Sequence, residues 1–591
     1  MFDDSLKRAL GVSLQQSPFL SLVSDQQVQQ ILRLMGKPAN TVMSQDVARE
    51  VCQRNQSRAM LTGAISAVGS QYEVTLEAVN CVTGDALARV GATASNKDKV
   101  LDSLGQTASE MRGKLGESLA SVQKYDIPLS QVTTTSLEAL KTYSLGIKAL
   151  DEKGPTAAIP YFRRAIELDP NFASAYALAA TEYGNLGESV LASEYAKRAY
   201  ELREGVTERE KLALEVQQTS YITGDLVKDE QIVELWKHTY PRDVEAFKDA
   251  AADKMSRGDF QGSLEDSQKA VQLDRFDYIA VGNLAGAYAA LNRLDDAKAV
   301  LDHGLTNGID PAAAAGSYYS LAFLRNDRDR MQKQLVLVAG KAGYEDLLFG
   351  LQADTEGYHG RLKQAREYSR RAAESAEHNG TKEAATEYIL GNALREAEFG
   401  NYAETRRAAA SAMQLAPTGR YVRAVAALAL ARARESAQSQ RLADTLEKEF
   451  PQDTYVNAYW LAMARACREL EKRNPTKAVE LLRVAQTYEL GSPIPPIGIG
   501  LVVYLRGYAL LEAGQNKEAG GEFQRILDHP GIVLNSPVGA LARLGLARAM
   551  VAGGDAARAR TAYQDFFALW EDADPDIPIL KEAKVEYAKL Q

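Results

Sequence analysis

Hydrophobic residues follow two different spacings along the chain, and the change falls near residue 125. Before it, stretches with apolar residues at every third or fourth position mix with stretches in which apolar and polar residues alternate. Beyond it, the spacing is almost wholly that of amphipathic helices rich in Ala, Leu, Arg and Glu. The pattern predicts a small α+β domain over residues 1–125, followed by a helical array. Three prolines within residues 491–497 cannot continue a helix, so we expect them to divide the array into segments 126–490 and 491–591.

In the first segment, the alternation predicts a three-stranded antiparallel sheet with helices on one face. A further strand is predicted at residues 18–23. Because the sheet has no opening strand to pair with it, we expect the first strand to be missing and Met1 to be a late start within a longer protein. The three sheet strands are predicted at residues 59–66, 72–79 and 86–90, and a long closing helix at about 96–121.

From about Ser136 onward, small and aromatic residues recur at the spacing of the tetratricopeptide repeat, which is about 34 residues long. The small residues let two antiparallel helices approach closely, the aromatic residues fill the gap to the next unit, and Pro ends the second helix. Because one unit cannot bury its apolar face alone, the units must stack. The prediction is a mainly α fold, a tetratricopeptide-type α-solenoid preceded by the small α+β domain. The first unit matches through Leu145, Gly146, Ala158, Phe162, Ala165 and Pro170.

The concave inner wall of such a solenoid is where a peptide ligand is expected. Counting from the start of each unit places Tyr143 and Leu150 of the first unit on this wall, with Thr181 and Asn185 of the second. Asn side chains on an inner wall hydrogen-bond peptide backbones, which makes Asn185 a candidate contact. The alternative is that Asn185 only ends its helix beside Gly184. Most of the 27 tyrosines are expected to pack between helices.

Composition and motifs argue against several classes of function. The 69 Lys and Arg against 78 Asp and Glu give 69 − 78 = −9, which disfavours nucleic acid as a partner. The chain contains no phosphate-binding GxxxxGK[ST] loop, no kinase signature, no GxSxG elbow and no HExxH or CxxC metal motif. Acidic pairs such as Asp295-Asp296 are typical of solvated helix surfaces. The sequence therefore predicts a protein that is not an enzyme and has no cofactor or metal.

Cysteines and targeting signals leave the compartment open. Cys52 and Cys81 flank the predicted strands, and either a disulfide or two small buried residues fits their positions. Cys467 is expected in the helical core. The start has no basic residues or apolar h-region, and no apolar run reaches the roughly 18 residues of a membrane helix. The chain as written is therefore expected to be cytoplasmic, without membrane insertion.

Both ends of the chain resemble a family of large bacterial signalling proteins. Residues 2–10, 16–20, 24–26, 32–36 and the segment Glu-Ala-Val-Asn-Cys-Val-Thr-Gly-Asp at 77–85 look like their small domain, which is related to the FlgO and TolB N-terminal type. Residues 526–533, 545–549 and 570–581 look like their tail. In that family a serine/threonine kinase or winged-helix DNA-binding domain precedes a membrane helix, the small domain and a tetratricopeptide array.

The family layout implies an extracytoplasmic position, which would favour a disulfide between Cys52 and Cys81. The kinase, DNA-binding domain and membrane helix have no counterpart here, so no catalytic residue carries over. The favoured hypothesis is a non-catalytic module of a bacterial signalling system that binds a protein or peptide. The alternatives are the sensor region of a serine/threonine kinase and that of a winged-helix transcription regulator. The sequence does not specify the oligomeric state.

Overall fold

The computed structural model describes residues 4–38, 41–129, 134 and 136–590. The small domain contains a sheet in the order β1-β2-β3, with both pairings antiparallel. Apolar residues alternate along β2, and Val74, Leu76 and Ala78 are fully buried against α4 because they share one face of the strand. The elements are α1 (Asp4–Gln15), α2 (Asp25–Leu34), α3 (Gln45–Arg54), β1 (Ala59–Val68), β2 (Gln71–Asn80), β3 (Ala86–Ala94), α4 (Val100–Lys114) and α5 (Leu119–Tyr125).

Two predictions for the small domain are wrong. Residues 18–23 do not join the sheet. They are held instead by side chains, since Ser17 Oγ accepts hydrogen bonds from two following backbone amides and the Phe19 carbonyl accepts one from Arg242 Nη1 at 3.0 Å. The long closing helix is divided between α4 and α5, because Gly116 adopts a φ of +102° that ends α4. The three sheet strands are confirmed.

The array consists of consecutive helix pairs, which confirms the predicted α-solenoid. Its first helices are α6 (Leu137–Lys153), α8 (Ala173–Asn185), α10 (Glu208–Gln217), α12 (Val244–Ser256), α14 (Tyr278–Ala290), α16 (Pro311–Leu324), α18 (Glu345–Tyr358), α20 (Lys382–Phe399), α22 (Arg420–Arg432), α24 (Leu461–Glu471), α26 (Leu501–Glu512) and α29 (Pro537–Ala552). Their second helices are α7 (Pro155–Leu168), α9 (Ser189–Glu201), α11 (Leu226–Thr239), α13 (Phe260–Leu273), α15 (Leu294–Thr306), α17 (Arg328–Val338), α19 (Leu362–His378), α21 (Tyr402–Leu415), α23 (Ser436–Glu449), α25 (Pro475–Leu482), α27 (Asn516–Asp528) and α30 (Ala556–Leu569). Short α28 (Pro530–Val533) precedes α29, and α31 (Pro578–Ala588) ends the array.

The repeat residues pack for the reasons their types suggest. Ala158, Phe162 and Ala165 on α7 are fully buried. A methyl group placed on Gly146 would lie 2.6 Å from the Phe162 ring, so only glycine permits this approach of α6 and α7. First helices contact the first helices of neighbouring units along much of the array, from α12 to α18 and from α20 to α29. They therefore form the inner layer, with the second helices outside.

The inner layer is closed around α22, in the later part of the array. Residues 424–431 of α22 are buried to 3% exposure or less, because small alanines let helices approach this segment from every side. The array also curves until α29 meets α18. There Asn535 Nδ2 donates to the Leu351 carbonyl at 2.6 Å, and Trp570 Nε1 donates to the Tyr358 carbonyl at 3.0 Å. The last units thus pack against the C-terminal halves of α14 and α18.

The small domain rests directly on the array. Phe276, in the loop between α13 and α14, is 1% exposed and packs with Ile31, Leu32 and Val51 of α2 and α3. Beside it, Ser24 Oγ lies 3.4 Å from Asp274 Oδ2. The loop before α14 is therefore part of the small domain's packing.

Candidate functional site

The inner layer remains open along the N-terminal halves of α12, α14, α16 and α18, where apolar side chains are exposed. Tyr278 and Ile279 in the first turn of α14 are 45% and 37% exposed, and Leu347 in the first turn of α18 is 44% exposed. Space remains around α14, since a methyl group on Gly282 would meet nothing within 4 Å. On α16 a methyl group on Gly316 would lie 3.5 Å from Leu347. We call this surface, formed by α12, α14, α16 and α18, the open inner wall.

Acidic groups dominate the α12 end of the open inner wall. Lys248 is the basic residue among them, and its Nζ is held by Asp277 at 2.8 Å and by Glu245 at 3.0 Å. Half-buried Asp249 forms no hydrogen bond or ion pair within the described part of the chain. Burial, reinforced by the Glu245 carboxylate, raises the pKa of Asp249 to about 8. A cation placed here would favour the ionised form of Asp249, a carboxyl group that has no ion-pair partner of its own in the described part of the chain.

Aromatic residues connect this acidic end to the exposed apolar residues. Partial burial, then the Tyr344 hydroxyl and the Glu182 carboxylate, raises the pKa of Tyr278 to about 12. Tyr221, in the π-helical segment Gln218–Thr223, covers the end of α8, where a methyl group on Gly184 would lie 2.7 Å from its ring. Tyr hydroxyls beside carboxylates provide both apolar contact and hydrogen bonding, a combination common in binding surfaces.

The residues predicted from the repeat spacing lie outside the open inner wall, in two separate groups. Tyr143 and Leu150 pack around Phe162, and the Tyr143 and Phe162 ring centroids are 5.8 Å apart. Thr181 Oγ1 accepts a hydrogen bond from Gln217 Nε2 at 2.8 Å, while exposed Asn185 donates from Nδ2 to Glu182 Oε2 at 3.2 Å. Their roles as ligand contacts stay predictions.

Repeat spacing from the first units did not identify the open inner wall. The sequence did contain a signal for this wall. Tyr278 and Ile279 are adjacent apolar residues directly after the capping residue Asp277. Because an amphipathic helix buries only one face, two adjacent apolar residues cannot both lie on that face. Leu347 and Leu348 repeat this arrangement in α18, with Leu348 fully buried. Both residues of the α14 pair and Leu347 of the α18 pair are exposed on the wall.

Cys52 and Cys81 are joined by a disulfide, with Cα atoms 5.8 Å apart. The bond ties the end of α3 to the residue after β2, and both cysteines pack with Met60 and Val79. Cys467 lies buried in α24, and burial raises the pKa of its thiol to about 11, as suits an unreactive core residue.

A second acidic group lies where the inner layer closes. Glu383, in the first turn of α20, accepts hydrogen bonds from Ser189 Oγ at 2.6 Å and from the Val190 amide at 2.9 Å. Glu188 accepts one from the Glu383 amide at 2.9 Å. Each carboxylate thus accepts a hydrogen bond from a free backbone amide at the N-terminus of the other residue's helix. Glu188 and Glu383 lie 195 residues apart in the sequence. Burial raises the pKa of Glu188 to about 7.

The chain offers little for metal or membrane chemistry within the described residues. No three His, Cys, Asp or Glu side chains there come together as metal ligands would. Every described helix falls short of the length and apolar character that crossing a bilayer requires.

Comparison with known proteins returns similar helical-repeat structures and no family. No protein-family model and no curated protein matches the chain. The crystal structure of yeast Tom70 is 14% identical, covering 77% of this chain and 95% of that one, with a TM-score of 0.28. A tetratricopeptide repeat protein from Parabacteroides merdae is 13% identical over 58% and 98%, with a TM-score of 0.21. The tetratricopeptide domain of P58(IPK) is 14% identical over 64% and 99%, with a TM-score of 0.19.

Proposed function

We propose that the chain is a non-catalytic binding module whose open inner wall takes an extended segment of a partner protein. The observation that carries the proposal is the exposure of Tyr278, Ile279 and Leu347 in the first turns of two nearby inner helices, α14 and α18. Contiguous exposed apolar residues rimmed by polar ones are typical of protein interaction sites. The closed later units act as a rigid support for this surface.

The chemistry of the wall indicates the kind of segment that fits. Ile279 and Leu347 offer contact for an apolar side chain, and burial of such a side chain contributes about 1.5–3 kcal/mol. Glu245 and Asp249 lie at one end, with Lys248 already paired to two acids. A Lys or Arg beside the apolar anchor would therefore be attracted, whereas an acidic segment would be repelled.

A defined peptide library displayed on phage and selected on the full chain tests this proposal. We expect enriched peptides to carry Lys or Arg within a few residues of an apolar side chain, and to bind more weakly as salt is raised. The double variant I279R/L347R should lose binding at least tenfold. The control V336R changes an apolar residue that is 68% exposed on the outer helix α17 and should bind as the unchanged chain does. Equal binding by I279R/L347R would refute the site.

The family resemblance extends the proposal to a setting. The module would serve a bacterial signalling system, and its partner segment would be the signal that it recognises. In such a system the chain would be the sensor region of a serine/threonine kinase or of a winged-helix regulator. The small domain's close packing on the loop before α14 supports a role in which the two parts act together.

A further inference from the structure

Strand β1 forms one free edge of the three-stranded sheet. It pairs with β2 along all ten residues, and no described backbone group outside β2 hydrogen-bonds to residues 59–68. The strand contains no charged residue and no proline. Edge strands are normally protected by charge, proline, a bulge or a covering segment, because their unpaired backbone groups otherwise recruit another strand. Edge β1 carries none of the first three. Helix α3 packs only near the start of the strand, where Met60 is buried beside Cys52, whereas Val68 at its end is 60% exposed.

The opposite edge differs in these respects. Strand β3 carries Arg89, and its pairing with β2 is interrupted by an irregularity at Ala78 and Val79. Helix α4 packs on β2 and β3 but makes little contact with β1. As a result Leu61 and Ile65, which point toward the packed face, are only partly buried. The apolar layer of the small domain therefore stops short at β1.

We propose that β1 pairs with β1 of a second copy of this chain, antiparallel and centred on Gly63. The dimer would have a two-fold axis perpendicular to the sheet, which keeps the packed faces of both copies on the same side. Residues that lie opposite each other must then be both odd-numbered or both even-numbered, so their numbers add to an even sum. Centring on Gly63 gives a sum of 126. Leu61 then lies opposite Ile65 of the second copy, and Ile65 opposite its Leu61. Both half-buried side chains gain an apolar neighbour, and the result is a continuous six-stranded sheet.

A second copy fits this edge better than an unrelated strand for two reasons. Strand β1 has no charge that would attract a charged partner strand. A second copy of β1 is itself a neutral strand with small residues, which is the kind of strand that this edge can pair with. Leu61 and Ile65 stand at equal distances on either side of Gly63, so each copy supplies the apolar residue that the other lacks. Such a contact closes on itself and leaves the β3 edges as the new, protected boundaries.

Sedimentation equilibrium of the full chain from 1 to 100 µM tests the proposal. We expect the mass to rise from 64.4 kDa toward twice that value. The variant A64K/S66K places Lys on the exposed face of β1, where like charges oppose pairing, and should weaken dimerisation at least tenfold. The control L87K/T93K adds the same charge at exposed positions of β3 and should dimerise normally. Circular dichroism of each variant checks that the fold is kept.

Two outcomes would overturn the proposal. One is a chain that stays monomeric at 100 µM; the other is a dimer that A64K/S66K and L87K/T93K affect equally. The register is checked with G63C, which should form an intermolecular disulfide faster than T62C, because the proposed pairing places only residue 63 opposite itself. Faster cross-linking of T62C would overturn the register centred on Gly63.

Discussion

The reciprocal contact between Glu188 and Glu383 should loosen as pH rises through neutrality. Burial raises the pKa of Glu188 from 4.5 to about 7, so the folded state favours the protonated acid. The stability that this provides is fully present below 4.5 and is lost as pH rises through about 7. A difference of 2.5 in pKa corresponds to an upper limit of about 3 kcal/mol, and solvent screening reduces the expected change to about 1–2 kcal/mol.

Hydrogen exchange of the Val190 and Glu383 amides reports this contact locally, because both amides donate to the two carboxylates. Protection factors remove the intrinsic pH dependence of exchange. The protection factors of these two amides should fall roughly 5–30-fold between pH 5 and pH 8. Burial also raises the pKa of neighbouring Glu387 to about 8, which acts in the same direction. Substitution E188Q keeps an acceptor oxygen but cannot ionise, so its protection should depend on pH much less.

The matched control is E571Q, at an exposed position near the end of the array. It should retain the full pH dependence of the unchanged chain. If E188Q retained it as well, the ionisation of Glu188 could not be the cause, and the argument from its burial would be refuted.

Three further results are expected. F276A should weaken docking of the small domain by about 3–5 kcal/mol and speed limited proteolysis between α2 and α3, whereas Y278A, at a 45% exposed side chain, should not. G224A should lower the melting temperature more than G514A: both glycines have φ of +70° to +75°, but only at residue 224 would a methyl group meet Asp453, while nothing lies within 4 Å at 514. Reducing the small domain's disulfide, which spans 29 residues, should cost that domain about 3–4 kcal/mol by chemical denaturation, and a reductant without effect would contradict the bond.

Local residue spacing sufficed for the parts of the fold that local packing determines. Ala158 and Phe162 identified the helix pairs because both are fully buried where α6, α7 and α8 meet, close together in the sequence. The alternation around Val74 likewise identified β2. Residues 18–23 were mispredicted because their backbone is held by Ser17 and by Arg242, more than 200 positions away.

The closed inner layer depends on contacts of still longer range, which repeat spacing does not encode. Asn535, for example, donates a hydrogen bond to the carbonyl of Leu351, which lies 184 positions earlier in the chain. Thr181, which the repeat spacing predicts on the concave wall, accepts a hydrogen bond from Gln217 in the first helix of the next unit, and its role as a ligand contact stays a prediction. The alanine-rich sequence of α22 did indicate burial, since a helix that is apolar on all sides is buried rather than exposed.

Phe276 has a consequence for how the two parts of the molecule communicate. It is anchored among Ile31, Leu32 and Val51, and only one residue separates it from Tyr278 on the open inner wall. A ligand that prefers a shifted α14 would therefore change the docking equilibrium of the small domain. Linkage is reciprocal, so anything that repositions α2 and α3 must alter ligand affinity by the same factor. A single aromatic side chain would thus couple the position of the small domain to the ligand affinity that we propose for the open inner wall.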